Sequence, residues 1–228
     1  LTVKNIVSMG MFYGHNKQLP LSDTLRGEYG LLYNINAVLD SRNIAPTGCH
    51  VPTWTELNTL ITYIGGFEVG GGKLKETGID HWDFPNLGAD NIYLFTGVGN
   101  GQRSGIDGSF AMLNKYGIHW TTTLDDTNFY KTLLLRYNYR IIPSPCSTIK
   151  QAGCAIRCIC DTSDSTITDV DGNIYDVITI GTQKWLSKNL KVKKYRNGEN
   201  IVNITDDAAW VAASTGAWCY YNNDSKYF

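Results

Sequence analysis

The apolar positions of this chain change period several times, and each change predicts an element. After Thr53-Trp54-Thr55-Glu56, residues Leu57, Leu60, Ile61 and Ile64 recur at helical spacing. Such a stripe turns one side of a helix towards a core. Thr53 and Glu56 form the pattern in which a hydroxyl and a carboxylate satisfy each other's exposed backbone amides, and Gly65-Gly66 supplies the stop. Elsewhere alternation by two dominates. Ser109–Leu113 and Gly117–Thr123 read as strands. So does Phe129–Ile142, with Tyr130, Leu133, Leu135, Tyr137 and Tyr139 assigned to one face and Pro143 and Pro145 ending the run. Gly153–Asp161 reads as a closing strand, with Ile156, Cys158 and Cys160 on one face and Ala155, Arg157 and Ile159 on the other. Thr166–Tyr175 then reads as an opening hairpin about Asp171-Gly172, and Val177–Ile180 with Gln183–Leu186 as another about Gly181-Thr182. Asp206–Ala213 predicts a short helix with acidic residues at its positive end.

Other stretches lack a clean period. Residues 1–28 read as an extended arm or added strand, or as a disordered leader. Tyr29–Val38 is a short buried segment, helical at its start, and Pro46-Thr47-Gly48 is a turn. Gly70–Gly108 reads as one long connection, packed down by Trp82, Phe84, Leu94 and Phe95. Its triple glycine is no phosphate loop, because the rest of that motif is missing. Tyr220–Phe228 is an aromatic-polar loop.

Composition narrows the class. The 228 residues bury one sizeable core or two small ones. Charged residues make up 18% and the net charge is −1, which gives no electrostatic footprint for nucleic acid or an anionic membrane. No apolar run is long enough to span a bilayer. Gly 23, Tyr 14 and Trp 6 together indicate a loop-rich β or α+β protein. A chain that starts at Leu1 reads as a mature or excised form. Cys49, Cys146, Cys154, Cys158, Cys160 and Cys219 contain no CxxC pair, and the four histidines are not at zinc-ligand spacing beside them. They read as buried thiols or, in this loop-rich composition, as one or more disulfides in an oxidising compartment.

The blocks "DVDGNIYDVITIGTQKWLSKNLKVKKY" at Asp169–Tyr195 and "TDDAAW…TGAWCYYNND" at Thr205–Asp224 resemble the Fibrobacter succinogenes major paralogous domain. So do "YGLLYNINAV" at Tyr29–Val38, "PTGCHVPTWTELNTLITYIGG" at Pro46–Gly66 and "GGKLKETG…HW" at Gly71–Trp82. "RSGIDGSF…GIHWTTT" at Arg103–Thr123 and "AIRCICD" at Ala155–Asp161 complete the likeness. The resemblance implies secretion or surface display and an α+β, C-type-lectin-like fold of loop-rich antiparallel sheets with two or three short helices. It also implies an altered order: 29–161 is the later part of such a domain, 162–165 a join, and 166–228 the earlier part. The domain is therefore circularly permuted, or its halves are shared between neighbouring chains, which gives head-to-tail association. The family commonly has Cys where Ala45 stands and Trp where Cys49 stands, so any disulfide shifts to Cys49 with Cys158 or Cys160. His119 replaces a usual aromatic.

Chemistry is weighed last. The spacing of Asp169, Asp171 and Asn173 is explained by a hairpin turn better than by calcium, since the downstream carboxylate is missing. His50 and His119 read as core histidines. The cysteine oxidase chemistry of related sulfatase-modifying enzymes needs a reactive pair, whereas Cys154, Cys158 and Cys160 alternate along a strand. No catalytic residues, metal or cofactor are expected. Trp120, Asp125, Asp126, Asn128, Tyr130, Arg136, Asn138, Tyr139 and Arg140 combine amphipathic rings with adaptable polar groups, as recognition surfaces do. The expected role is extracellular binding of a glycan or surface protein through 120–150. The alternative is a structural subunit of a surface appendage or phage fibre.

Overall fold

The protein is described by a computed structural model covering residues 28–144 and 146–227. The arm at 1–27 and the strand-ending role given to Pro145 lie outside these residues. Among the described residues, three sheets and four short α-helices make a small α+β fold. No helix among the described residues is long and apolar enough to cross a membrane.

The first sheet has the order β2 (Cys49–His50), β8 (Ile159–Cys160), β11 (Gln183–Leu186), β10 (Ile174–Ile180), β9 (Thr166–Thr168). Both predicted hairpins are present, with Ile180 opposite Gln183 and Ile174 opposite Thr168. Gly172 at the second turn has φ 84°, a conformation that a β-carbon disfavours. The Asp169 carboxylate closes that turn, accepting from the amides of Asp171 and Asn173 and from the Tyr175 hydroxyl. The second sheet joins β1 (Leu32–Tyr33), β13 (Ala217–Cys219) and β12 (Val202–Asn203). Two sheets thus contain strands from both sides of the 162–165 join.

The third sheet has the order β4 (Phe110–Leu113), β3 (Asn100–Arg103), β5 (Tyr116–Asp126), β6 (Phe129–Arg136), β7 (Ser147–Ile149). Its long β5–β6 hairpin is covered on both faces. Leu133 and Leu135 pack with Leu57, Leu60 and Ile61 of α2 (Trp54–Tyr63), while Ile118, Trp120 and Leu134 join the other core cluster. The α2 capping box is present: Thr53 Oγ1 accepts from the Glu56 amide, and Glu56 accepts from the Thr53 amide at 2.8 Å.

Several expectations are corrected. Strand β6 ends at Arg136, so Tyr137 and Tyr139 belong to the following turn, and Tyr130 faces away from Leu133 and Leu135. The Tyr29–Val38 segment begins with strand β1 and ends as helix α1 (Ile35–Leu39), because Asn34 caps the helix by accepting from the Ala37 amide. The triple glycine lies inside helix α3 (Phe67–Leu74). A β-carbon at Gly72 would fall 2.2 Å from the Gly88 carbonyl oxygen, so the glycines permit close packing. Strand β3 also arises within the supposed connection. Between Ala152 and Cys160 every residue is buried, so no exposed face alternates with a buried one. Isolated bridges from Arg103, Tyr33 and His119 pair with Gly153, Cys154 and Ala155 at the start of that stretch.

Helix α4 (Asp207–Val211) is capped by Asp206 and packs Trp210 inward. The described chain begins and ends at one place: the Tyr29 and Tyr227 rings meet edge to face at 5.9 Å.

Candidate functional site

The segment that stands out chemically is the loop between α3 and β3, together with the turn that follows β6. Its anchor is Lys75, which is fully buried. Its ammonium donates to the carbonyls of Leu87 at 3.0 Å, Arg136 at 2.9 Å and Tyr139 at 3.1 Å. Burial pulls its pKa down to about 8, while the three carbonyls give each N–H an acceptor. One side chain therefore ties the loop to the turn.

Further polar bonds fix the loop. Asn86 donates to the carbonyls of Glu76 and Gly78, the Trp82 indole to Gly97, and the Leu87 amide to Tyr137. Asn91 and Thr96 bind each other. Trp82 and Phe95 are buried, as the packed-loop reading requires, but Phe84 is 81% exposed and Leu94 is 47% exposed. Ile79, Leu87 and Ile92 are exposed too. Apolar side chains thus stand in water on a fixed backbone.

The structure divides the sequence-predicted binding residues into three sets. Trp120 is 1% exposed and its indole donates to the Tyr33 carbonyl at 2.7 Å, which makes it core and corrects its assignment to the surface. Tyr130 is half-buried against its edge. Asp125, Asp126 and Asn128 lie at the tip of the β5–β6 hairpin. Asp125 pairs with Lys131 at 2.7 Å and accepts from the Ser147 hydroxyl, contacts that hold its carboxyl below the ordinary range. Asp126 accepts from the Thr127 amide. Arg136, Asn138, Tyr139 and Arg140 lie at the other end, beside the anchored loop. At about 3.3 Å per strand residue, Asn128 and Arg136 are roughly 25 Å apart. The two polar sets do not form one site.

At the loop end, the Arg136 guanidinium lies 5.7 Å from the Tyr116 ring and 5.8 Å from the Tyr139 ring. Its Nε is buried and has no hydrogen-bond partner. Tyr139 is 45% exposed, and the Arg140 stem rests over Gly88. Sequence reading missed Lys75, Phe84 and Leu87. Phe84-Pro85 in a polar loop was a usable signal for an exposed ring, but no local pattern marks Lys75 as buried.

His50 is half-buried at the protein surface, with Nε2 2.9 Å from Glu56 and Nδ1 3.8 Å from Asp161, so it is not a core histidine. It lies beside a groove of about 410 Å³ lined by Glu56, Ile159, Cys160, Asp161, Thr162 and Lys184, among others. His119 is a core histidine: Nε2 meets Asn189 Oδ1 at 3.0 Å, and burial lowers its pKa to about 3. Asn189 also accepts from Arg157, a fully buried guanidinium that donates to the carbonyls of Phe95 and Ser187. Among the described residues, no group of three His, Cys, Asp or Glu could hold a metal ion.

The sequence profile of the Fibrobacter succinogenes major domain matches residues 4–160, well over half the chain. The chain belongs to that family. No curated protein and no solved structure matches it. The match ends at Cys160 and does not extend over 166–228. In this Fibrobacter succinogenes major domain, Cys49 and Cys160 form a disulfide between paired strands β2 and β8, across 111 positions of sequence. Cys146, Cys154, Cys158 and Cys219 are free, and burial raises all four thiols, Cys158 and Cys219 to about 12.

Proposed function

We propose that the protein is a non-enzymatic extracellular recognition module, binding a glycan or a surface protein through the loop end of the 120–150 segment. The observation that carries this reading is the backbone fixed by Lys75, from which Phe84, Leu87, Tyr139 and Arg140 project. A contact surface ordered before binding loses less entropy on complex formation. The raised thiols support a non-catalytic role, since a protonated thiol is a poor nucleophile. The disulfide supports an oxidising, extracellular setting.

The domain organisation belongs to the same proposal: a C-type-lectin-like fold whose earlier and later parts are exchanged in order. Adjacent Tyr29 and Tyr227 support it, because the ends opened by a permutation should be neighbours. A second reading, a structural subunit assembled head to tail from complementing parts, requires the β1–β13 and β8–β11 pairs, which here connect the two sides of the join within one chain, to form between chains instead.

The test is a binding screen of the labelled protein against arrays of glycans and extracellular proteins. A variant carrying F84S, Y139S and R140Q should lose its binder, and one carrying D125N, D126N and N128A should keep it. Loss only in the second variant, or no binder at all, would remove the reading. Light scattering checks the structural alternative, which requires open polymers.

A further inference from the structure

We infer that the Arg136–Arg140 turn is an anion subsite for a carboxylate-bearing saccharide. This rests on the recognition reading above and names its ligand class. Elsewhere in the molecule the fold supplies each described arginine with partners. Arg42 pairs with Asp40 and Glu199, and Arg103 binds Asp207 and the carbonyls of Gly108, Ile204 and Thr205. Arg157 donates to carbonyls and Asn189, and Arg196 to the carbonyls of Ala45, Pro46 and Cys49. These guanidinium groups are engaged by the fold.

Arg136 and Arg140 are different. Among the described residues, neither guanidinium makes a hydrogen bond or an ion pair. The same holds for the exposed ammonium of Lys115, whose backbone carbonyl accepts from the Tyr137 amide at 2.9 Å beside this turn. The loop acids Asp83 and Asp90, whose amides donate to the Asn114 and Gly72 carbonyls, form no ion pair with them among the described residues. Three cations on adjoining segments thus lack an ion-pair partner among the described residues.

Geometry selects the ligand. The Arg136 guanidinium lies 5.7 Å from the Tyr116 ring and 5.8 Å from the Tyr139 ring, and the fork of N–H donors on a guanidinium matches a planar carboxylate. Tyr139 offers a half-exposed ring for the apolar face of a sugar, and the Asn138 amide has both donor and acceptor capacity for hydroxyls. A guanidinium, an aromatic plate and an amide within four residues of chain suit a sugar acid better than a peptide chain. The exposed apolar side chains of the loop remain available to flanking parts of the ligand.

The experiment is titration calorimetry of the full chain with oligogalacturonate, a neutral galactan oligomer of the same length and poly-L-glutamate. Oligogalacturonate should bind, more weakly as salt is raised, and better than either comparison ligand. R140Q and R136Q should each weaken it at least tenfold, and R136K should fall between because an ammonium lacks the fork. If R136Q melts early because its tyrosine neighbours loosen, the exposed Arg140 variant decides. Equal binding of the neutral oligomer, indifference to R140Q, or no binding of oligogalacturonate overturns the inference. Tighter binding of poly-L-glutamate reassigns the subsite to acidic peptides and overturns it too. A neutral glycan lost on F84S but indifferent to both arginine variants would sink this subsite while leaving the recognition reading intact.

Discussion

The two ends of the β5–β6 hairpin have similar composition and opposite chemistry. At the tip, Asp125 is paired with Lys131 and Ser147, and Asp126 turns back onto the chain. At the base, Arg136 and Arg140 have no hydrogen-bond or ion-pair partner among the described residues and stand on a turn held by a buried ammonium. Polar, aromatic composition alone does not distinguish a surface that has used its hydrogen-bonding capacity from one that has kept it. What separates them is whether the fold has already supplied each charged group with a partner.

The comparison can be broken in several ways. The largest effect is expected from removing the disulfide with C49A and C160A. A link closing a loop of 111 positions contributes on the order of 4–5 kcal/mol through the unfolded chain. Urea denaturation should show this loss, with tip and base unfolding together; an unequal response would show that the two ends are not one cooperative unit. Next comes K75M, which leaves three carbonyls without their donor and should cost about 2–4 kcal/mol. Hydrogen exchange should then accelerate in residues 77–97 and 137–140 but not at the tip. Uniform acceleration would refute the local role given to Lys75.

Acid should act on the shared core before the tip. His119 stays neutral in the fold down to about pH 3, whereas in the unfolded chain it takes a proton near its ordinary value of 6.5. The unfolded state therefore binds more protons as pH falls through 6.5, and stability drops by up to about 1.4 kcal/mol per pH unit until about pH 3. Above 6.5 the effect vanishes. Between pH 6.5 and 4.5 Asp125 stays ionised, because its hydrogen bond with Lys131 holds that carboxyl below its ordinary value. Denaturation midpoints of wild type and H119Q across this window should diverge, with the flatter dependence in H119Q. The smallest effect is expected from D125N, which should shift a thermal melt by no more than its error and leave binding unchanged. Loss of binding in D125N would reverse the ranking of the two ends.

How much of this was legible depended on how local the determinant was. The α2 capping box, both hairpins around Gly172 and Gly181, and the Asp169 turn are determined within a few residues, and all are present as read. Cys49–Cys160 was among the pairings that the family resemblance left open. The misread parts depend on distant neighbours. Gly70–Gly72 resembles loop until the Gly88 and Arg140 carbonyls come against it. Trp120 resembles a binding aromatic until Tyr33 accepts its indole proton. The candidate residues were read as one surface because a sequence shows their types without showing that a strand of eight residues separates them.

Tyr29 beside Tyr227 has a mechanical consequence. Just inside them, β1 and β13 run antiparallel, with Leu32 opposite Cys219. Tension applied through residues 28 and 227 would peel this pair apart one bond at a time instead of shearing several together. A load-bearing fibre would be poorly served by such an unzipping geometry, whereas a recognition domain carried on slack tethers would never be pulled along it.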